Sequence, residues 1–277
     1  MLIARIASAV VAIPIIVGVI WLGGPLFFAL LVLAAALAAR ESIALLQPDY
    51  RAISELFATG GTLVLVAGAT RGAVGVLSAL AIVLVANLVA YTLESGRPNG
   101  KQSVWPNSFV AAVYAGLPGA LLMIERSWSG SFVLVLGGRL AFDFGAIWVL
   151  LILTTVWAVD TAAYAVGRLI GRHLLWPAVS PQKTWEGTCA GLLAGAIVSF
   201  VWAPDVGIST GAGGALGLIL AIAAILGDLA ESALKRHAGV KDAGQLIPGH
   251  GGILDRIDSL VFSVIVVFLF GTIVGFA

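Results

Sequence analysis

A succession of long apolar runs, separated by short polar segments, is the feature that most constrains the fold of this chain. About 20 consecutive apolar residues cross the hydrocarbon core of a bilayer as a helix, which satisfies every backbone hydrogen bond internally. Hydrophobic residues make up 60% of the 277 residues and charged residues only 10%, unlike ordinary soluble domains. The sequence therefore predicts an all-α, polytopic integral membrane protein.

Nine apolar runs can be delimited. They lie at about 6–22, 26–39, 56–70, 73–93, 104–124, 140–169, 188–203, 213–234 and 258–276. The run 140–169 is longer than a span requires, which indicates a helix that tilts, protrudes or begins with an interfacial segment. We predict about nine transmembrane helices.

The basic residues are distributed unevenly between alternate polar segments. If the N-terminus is cytoplasmic, only Arg71, Arg126 and Arg139 of the 15 Lys and Arg residues lie outside. Lys and Arg concentrate in cytoplasmic loops of membrane proteins. This bias predicts a cytoplasmic N-terminus, and it places the polar loops 168–187 and 235–257 in the cytoplasm, where nucleoside triphosphates occur.

The densest polar segment is 227–258, between the last two apolar runs. It combines carboxylates, cations and imidazoles: Asp228, Glu231, Asp242, Asp255, Asp258, Lys235, Arg236, Lys241, Arg256, His237 and His250. Hard divalent cations prefer oxygen ligands and often share them with phosphates. The segment therefore predicts a site for a divalent metal and a phosphate-bearing substrate.

The spacing within this segment supports the same interpretation. Asp228, Glu231, Ser232 and Lys235 share one stripe of a helix. An alternative is that the segment is only a solvated connector with charges at the membrane interface. We favour a site because Asp228 and Glu231 lie inside the helix end, where an acid without a partner is costly.

The end of the segment places two acids after a glycine pair. Asp255 and Asp258 are three residues apart at the start of the last apolar run. Gly251 and Gly252 precede them, and glycine allows backbone N–H groups to approach a ligand closely. We expect the two carboxylate-bearing helix ends to face each other across this loop as a metal cradle.

A second polar cluster extends from Asp160 to Glu186. Asp160 lies within an apolar run, where an acid is a functional candidate, although a structural hydrogen bond is an alternative. The run Ser180-Pro-Gln-Lys183-Thr184-Trp-Glu186-Gly precedes a membrane helix. A helix N-terminus beside Lys183 favours anion binding, although the segment could serve only to start the helix.

The polar segment resembles the signature of the phosphatidate cytidylyltransferase (CDP-diacylglycerol synthase) family. The resemblance rests on Ser232-Ala-Leu-Lys235-Arg236, Lys241-Asp242, Gly244, Ile247-Pro248, His250-Gly251-Gly252-Ile253 and Asp255-Arg256-Ile257-Asp258. The run from Ser180 to Gly187 is similar to the second recurring segment of that family. The resemblance is strong over about 157–258, whereas the first half is similar only in its multi-spanning character.

The resemblance implies transfer of a cytidylyl group from CTP to phosphatidate at the bacterial inner membrane. The expected cofactor is Mg²⁺, and our hypothesis assigns Asp228 and Asp255 as its main ligands, with Asp258, Asp242 and Glu231 close behind. Whether a second cation, monovalent or divalent, also binds stays an open question. The implied catalytic residues are Asp228, Lys241, Asp242, His250, Asp255, Arg256 and Asp258. The implied substrate- and phosphate-binding residues are Asp160, Ser180, Lys183, Thr184, Glu186, Ser232, Lys235, Arg236, Gly251 and Gly252.

We divide the chain by expected role. Residues 1–139, about five spans, carry no functional motif and are expected to form a lipid-facing wall or a homodimer contact. Residues 140–277, about four spans, are the predicted catalytic domain. The single cysteine, Cys189, excludes an intrachain disulfide. The expected partners are CTP, phosphatidate and the bilayer, with no nucleic acid.

Two rival functions remain at this stage. A related enzyme could act on another lipid phosphate, such as an archaeal ether lipid, with the same metal site. An ion-coupled transporter could use Asp160, Asp228 and Glu231 as a proton or cation relay. The basic and glycine-rich cytoplasmic segment favours phosphate chemistry over transport.

Overall fold

Helix dominates the structure, a computed structural model that describes residues 2–47, 51–95, 104–131, 133–136, 140–246 and 251–276. The α-helices of the described residues are α1 (Leu2–Leu22), α2 (Gly24–Leu46), α3 (Arg51–Gly68), α4 (Gly72–Ser95), α5 (Val104–Arg126), α6 (Phe144–Ile170), α7 (Trp185–Trp202), α8 (Thr210–His237) and α9 (Leu254–Val274). A short 3-10 helix, Ala69–Arg71, separates α3 from α4. Each helix coincides with one of the predicted apolar runs and extends a few residues beyond most of them.

Seven helical segments of the described chain are long and apolar enough to cross a membrane. They are Gly24–Leu46, Ala52–Leu93, Trp105–Arg126, Phe144–Ile170, Trp185–Trp202, Thr210–His237 and Leu254–Val274. The segment Ala52–Leu93 has 42 residues and contains both α3 and α4. The prediction of an all-α, multi-pass membrane protein is confirmed, while the count of nine spans stays a prediction.

Two short antiparallel hairpins interrupt the helices. Strand β1 (Leu134–Leu136) pairs with β2 (Leu140–Phe142), and β3 (Leu174–Trp176) pairs with β4 (Ser180–Thr184). The sequence predicts a polar loop over 168–187 and an apolar run from Leu140 onwards, so it predicts neither hairpin. Strands of three to five residues are too short to produce a recognisable alternation of apolar and polar residues.

The chain forms two compact units, each assembled from separate segments. The first contains Met1–Ala12, Gly24–Ile124 and His237–Arg256, and the second contains Ile13–Gly23, Glu125–Arg236 and Ile257–Ala277. The predicted division into 1–139 and 140–277 concerns expected roles and stays a prediction.

Two buried hydroxyl groups of the first unit, those of Ser108 and Thr62, form hydrogen bonds between helices. The Ser108 hydroxyl of α5 donates to Asn87 Oδ1 of α4 at 2.7 Å, and Thr62 Oγ1 of α3 donates to the Ala112 carbonyl at 3.3 Å. In an apolar environment, such polar groups are costly without a partner. These bonds therefore fix how α3, α4 and α5 pack.

Small residues bring α6, α7 and α8 of the second unit close together. A Cβ atom on Gly187 would lie 2.5 Å from the Ala163 carbonyl oxygen, so α7 crosses α6 at a distance that only glycine allows. Gly195 of α7 and Gly217 of α8 approach each other in the same way. These contacts position the walls of the candidate site.

Arg126 joins the end of α1 to the start of α6. Its Nε donates to the Ile20 carbonyl at 2.9 Å, and its Nη1 lies 2.7 Å from Asp143 Oδ1. Asp143 also caps α6 by accepting a bond from the Ala146 N–H at 2.9 Å. The Arg126 side chain thereby satisfies a carbonyl group at the C-terminus of α1 and fixes Asp143, the residue that caps α6.

Candidate active site

A cavity of about 580 Å³ lies in the second unit, between α6, the β3–β4 hairpin, α7 and α8. The predicted site residues among those that line it are Asp160, Ser180, Lys183, Thr184 and Asp228. The structure therefore brings together residues from both of the predicted polar clusters. Tyr164, Arg168 and Gln182 also line the cavity, although the sequence analysis assigns them no site role.

The α6 wall carries an acid, an aromatic ring and a cation. Asp160, Tyr164, Gly167 and Arg168 all face the cavity, at the spacing of one helix face. Arg168 Nη1 donates to the Tyr164 hydroxyl at 2.7 Å. A planar guanidinium at the cavity wall is suited to bind phosphate oxygens in pairs.

The hairpin wall ends at the N-terminus of α7, as the sequence predicts. Thr184 is the N-cap of α7, and its Oγ1 accepts a bond from the Gly187 N–H at 3.1 Å. Lys183 immediately precedes the cap, in β4. The cavity therefore combines a helix N-terminus with a lysine, both of which attract anions.

Glu186 has a partner outside the cavity wall. Its Oε1 lies 2.7 Å from His173 Nδ1, and its Oε2 accepts a bond from the His173 N–H at 3.3 Å. This arrangement holds the base of the hairpin to the first turn of α7. Glu186 therefore has a structural role in this contact. Its predicted role in substrate binding stays a prediction.

The α8 wall presents Asp228 to Lys183. The Lys183 ammonium lies 2.8 Å from Asp228 Oδ2 and 3.5 Å from the Ile225 carbonyl. Ser232 Oγ donates to Asp228 Oδ1 at 3.3 Å. Asp228 and Ser232 of the predicted helix stripe are therefore in contact, and Ser232 supports Asp228 from the next turn.

The other two members of the stripe form a buried ion pair. Lys235 Nζ lies 2.5 Å from Glu231 Oε2, with the Glu231 side chain fully buried and the Lys235 side chain 12% exposed. The residue after Lys235, Arg236, donates its Nε–H to the Val179 carbonyl of the hairpin at 3.3 Å. Glu231, a predicted metal ligand, thus has a cation beside it.

Ser259 connects two of the acids of this unit and was not predicted. Its hydroxyl lies 3.4 Å from Asp160 Oδ1 and 3.5 Å from Asp258 Oδ1. A Cβ atom on Gly227 would overlap the Asp258 carbonyl oxygen, so α8 and α9 touch next to Asp228. Ser259 therefore links Asp160 to Asp258, and the backbone of Asp258 lies against α8 at the residue before Asp228.

Asp255 is held by backbone N–H groups of the first unit. Its Oδ2 accepts bonds from Gly252 at 2.8 Å and from Ala243 at 3.0 Å. Gly251 has a φ of +81°, which explains the need for glycine there. The sequence predicts that the Gly252 N–H approaches a ligand, whereas in the structure this N–H donates to Asp255.

The remaining predicted residues of this segment are less constrained. The side chains of Lys241, Asp242 and Arg256 are exposed. His250 lies outside the described residues, so its assignment stays a prediction.

The donor set suits a metal shared with a substrate better than a protein-only cage. Within the described part of the chain, no three or more His, Cys, Asp or Glu side chains are grouped as a complete metal site. Mg²⁺ is commonly held by one or two carboxylates together with phosphate oxygens and water. Asp160 and Asp228 line the same cavity, and the Ser259 hydroxyl links Asp160 to Asp258. One or two of these carboxylates, together with phosphate oxygens and water, fit Mg²⁺.

Comparison with known sequences agrees with the resemblance. The sequence profile of the cytidylyltransferase family matches residues 3–274. The chain belongs to this family. Similar proteins named phosphatidate cytidylyltransferase occur in Staphylococcus species, and each aligns with only part of this cytidylyltransferase-family chain.

The relative from Staphylococcus saprophyticus is 48% identical over 124 residues, 43% of this chain and 46% of the relative. The relative from Staphylococcus haemolyticus is 48% identical over 120 residues, with the same shares. The relative from Staphylococcus aureus is 50% identical over 109 residues, 39% of this chain and 42% of the relative. The alignments thus span less than half the length of these relatives.

Proposed function

We propose that this chain transfers a cytidylyl group from CTP to phosphatidate, giving CDP-diacylglycerol and pyrophosphate. The observation that carries the proposal is the cavity lined by Asp160, Asp228, Lys183 and Arg168, in a chain of the cytidylyltransferase family. Two anionic substrates need cations to approach each other, and the apolar helices would keep a lipid substrate beside the cavity. The names of the staphylococcal relatives support the same reaction.

The chemistry is a phosphoryl substitution. An oxygen of the lipid phosphate attacks the α-phosphorus of CTP, and the bond from that phosphorus to the β-phosphate oxygen breaks. Pyrophosphate leaves with the electron pair. The attacking phosphate is already ionised at neutral pH, so the reaction requires no general base. Positioning and charge neutralisation are the contributions required of the protein.

Lys183 and Arg168 are the cavity cations that we assign to phosphate binding. Lys183 lies against Asp228, and a phosphate oxygen can share its ammonium group. The capped N-terminus of α7 adds a fixed partial positive charge. Negative charge that accumulates on the leaving pyrophosphate would be stabilised there.

We propose Mg²⁺ as the cofactor, with Asp228 and Asp258 as ligands and Asp160 nearby. A divalent ion held there would supply positive charge against the triphosphate and the leaving pyrophosphate. Asp255 and Glu231 stay predicted ligands, and a second cation stays a prediction. In this proposal the ligand carboxylates bind the metal, and the metal in turn reduces their repulsion of the phosphates that share it.

The finer membrane topology belongs to the same proposal. We infer nine spans with a cytoplasmic N-terminus, in the inner membrane of a bacterium, with the cavity opening to the cytoplasm. The presence of two helices in Ala52–Leu93 and the additional apolar helix Val10–Leu22 support this count. Phosphatidate would enter laterally from the bilayer while CTP arrives from water. For the first half of the chain, we expect a lipid-facing wall or a homodimer contact.

The test is pyrophosphate release by the full chain purified in detergent, with CTP, phosphatidate and Mg²⁺ each omitted in turn. We expect release only when all three are present, and loss of release with EDTA. Ether-linked lipid phosphates in place of phosphatidate distinguish the related enzyme. Protein that is folded yet releases no pyrophosphate with any lipid phosphate would overturn the proposal, and substrate flux without CTP consumption would identify a transporter.

A further inference from the structure

Glu41 of α2 is a buried acid in the half of the chain where the sequence analysis finds no functional motif. Only 7% of the residue is exposed. Its Oε1 accepts a bond from the Ile253 N–H at 3.1 Å, and its Oε2 accepts one from the Leu254 N–H at 2.7 Å. Helix α9 begins at Leu254, so Glu41 satisfies N–H groups that a helix start leaves unpaired. A carboxylate at this position is also favoured by the helix dipole.

Two glycines of the polar segment make room for this carboxylate. A Cβ atom on Gly244 would overlap Glu41 Oε1, and a Cβ atom on Gly252 would overlap Glu41 Oε2. Both glycines belong to the recurring signature, yet the residue that they accommodate comes from α2. Any side chain at either position would displace the Glu41 carboxylate or the loop.

The same loop holds Asp255. Gly252 donates its N–H to Asp255 Oδ2, while the next two N–H groups along the chain donate to Glu41. Two carboxylates therefore bind three consecutive backbone N–H groups. Release of one carboxylate would free the backbone that positions the other.

We propose that Glu41 is a positioning residue that holds the backbone of residues 252–254 and thereby orients Asp255. The link to catalysis depends on the function proposed above, in which Asp255 is a predicted metal ligand. Glu41 reaches Asp255 only through the backbone, so it acts on the reaction without contact with the substrates. A group that orients a metal ligand or reacting group in this way typically affects activity about 10- to 100-fold.

The first test measures the loop directly, without substrates. Hydrogen–deuterium exchange of the purified full-length protein is compared for wild type, Glu41→Gln, Glu41→Ala and Ser42→Ala. We expect the amides of Ile253 and Leu254 to exchange faster in Glu41→Ala, and by a smaller factor in Glu41→Gln, which keeps one acceptor oxygen. Ser42 is the matched control because it is the next residue, is also buried, and has a hydroxyl with no hydrogen-bond partner among the described residues. Unchanged exchange of both amides in the Glu41 variants would overturn the proposal.

The second test separates positioning from stability. We expect kcat of Glu41→Ala to fall about 10- to 100-fold, with a higher half-saturating Mg²⁺ concentration and an unchanged KM for phosphatidate. Glu41→Gln should lie between Glu41→Ala and wild type. A variant that loses only thermal stability while kcat stays at the wild-type level would show that Glu41 is a helix cap without a positioning role. If the wild type itself releases no pyrophosphate, the proposed function fails, while hydrogen exchange still decides whether Glu41 holds the loop.

A third comparison uses the glycine contact. Gly244→Ala should increase exchange at residues 253–254 in the wild-type background, because the new methyl group displaces Glu41. In the Glu41→Ala background the methyl group has room, so the same substitution should add little. Equal, additive effects in both backgrounds would contradict the contact on which the proposal depends.

Discussion

The Lys183 ammonium of β4 lies 2.8 Å from Asp228 Oδ2 of α8, and both side chains line the cavity. The pair is partly accessible, with side-chain exposures of 23% and 32%. Neither charge is deeply buried, so in the proposed reaction a phosphate would bind Lys183 while Asp228 would be released to hold a metal ion. This exchange of partners is the step on which our first prediction depends.

Replacement of Lys183 by Ala should lower kcat for pyrophosphate release by about 10²- to 10³-fold, the usual effect of removing one group that stabilises transition-state charge. Lys183→Arg should recover part of the loss. Activity is measured by pyrophosphate release with saturating CTP and phosphatidate. Arg172→Ala is the control, because Arg172 is an exposed cation next to the same hairpin and does not line the cavity. Equal losses in Lys183→Ala and Arg172→Ala would show that general surface charge, and no specific phosphate contact, is responsible.

Glu231 and Lys235 form a buried ion pair one turn from Asp228. Removal of one partner takes this interaction away from the other, buried charge, a change that typically costs about 3–5 kcal/mol. Glu231→Gln and Lys235→Met should each lower the unfolding temperature strongly, and the double variant should recover much of the loss. Thermal unfolding in detergent is the measurement. Stable single variants with an altered Mg²⁺ requirement would instead support Glu231 as a metal ligand.

The helices and one wall of the site follow from local sequence signals. Apolar runs predict α1 to α9 because every side of a membrane helix faces either lipid or another helix. Apolar residues are therefore needed all around each helix. The N-terminus of α7 after Lys183 and the stripe that carries Asp228 and Ser232 follow from capping and helical spacing. Such features depend on residues within about one turn of each other.

Glu41 and Ser259 could not be assigned in this way. Ile253 and Leu254, the partners of Glu41, are more than 200 residues away in sequence, and Ser259 meets Asp160 of another helix. Long-range contacts of this kind leave no periodic signal. One clue was available for Glu41, since α2 continues to Leu46 and therefore places an acid inside an apolar helix.

The close approach of α7 and α8 provides a third prediction. A Cβ atom on Gly217 would overlap the Gly195 carbonyl oxygen, whereas a Cβ atom on Gly211 of the same helix meets nothing within 4 Å. Gly217→Ala should therefore destabilise the protein by about 1–3 kcal/mol through overpacking. Gly211→Ala, the matched control, should be neutral or slightly stabilising because alanine favours helix. Similar unfolding temperatures for the two variants would contradict the packing of α7 against α8.

Glu125 near the end of α5 leads to the last prediction. The residue is fully buried, and neither carboxylate oxygen has a hydrogen-bond partner among the described residues. A buried carboxylate without a partner is far more costly than a buried amide, so Glu125→Gln should maintain or increase stability. An increase of about 1 kcal/mol corresponds to an unfolding temperature roughly 2–4 °C higher for a chain of this size class. Glu55→Gln is the control for the same chemical change at a partly exposed ion pair, where the effect should be within about 1 kcal/mol. Strong destabilisation by Glu125→Gln alone would show that the carboxylate binds a cation, because only then does loss of its charge remove a favourable interaction.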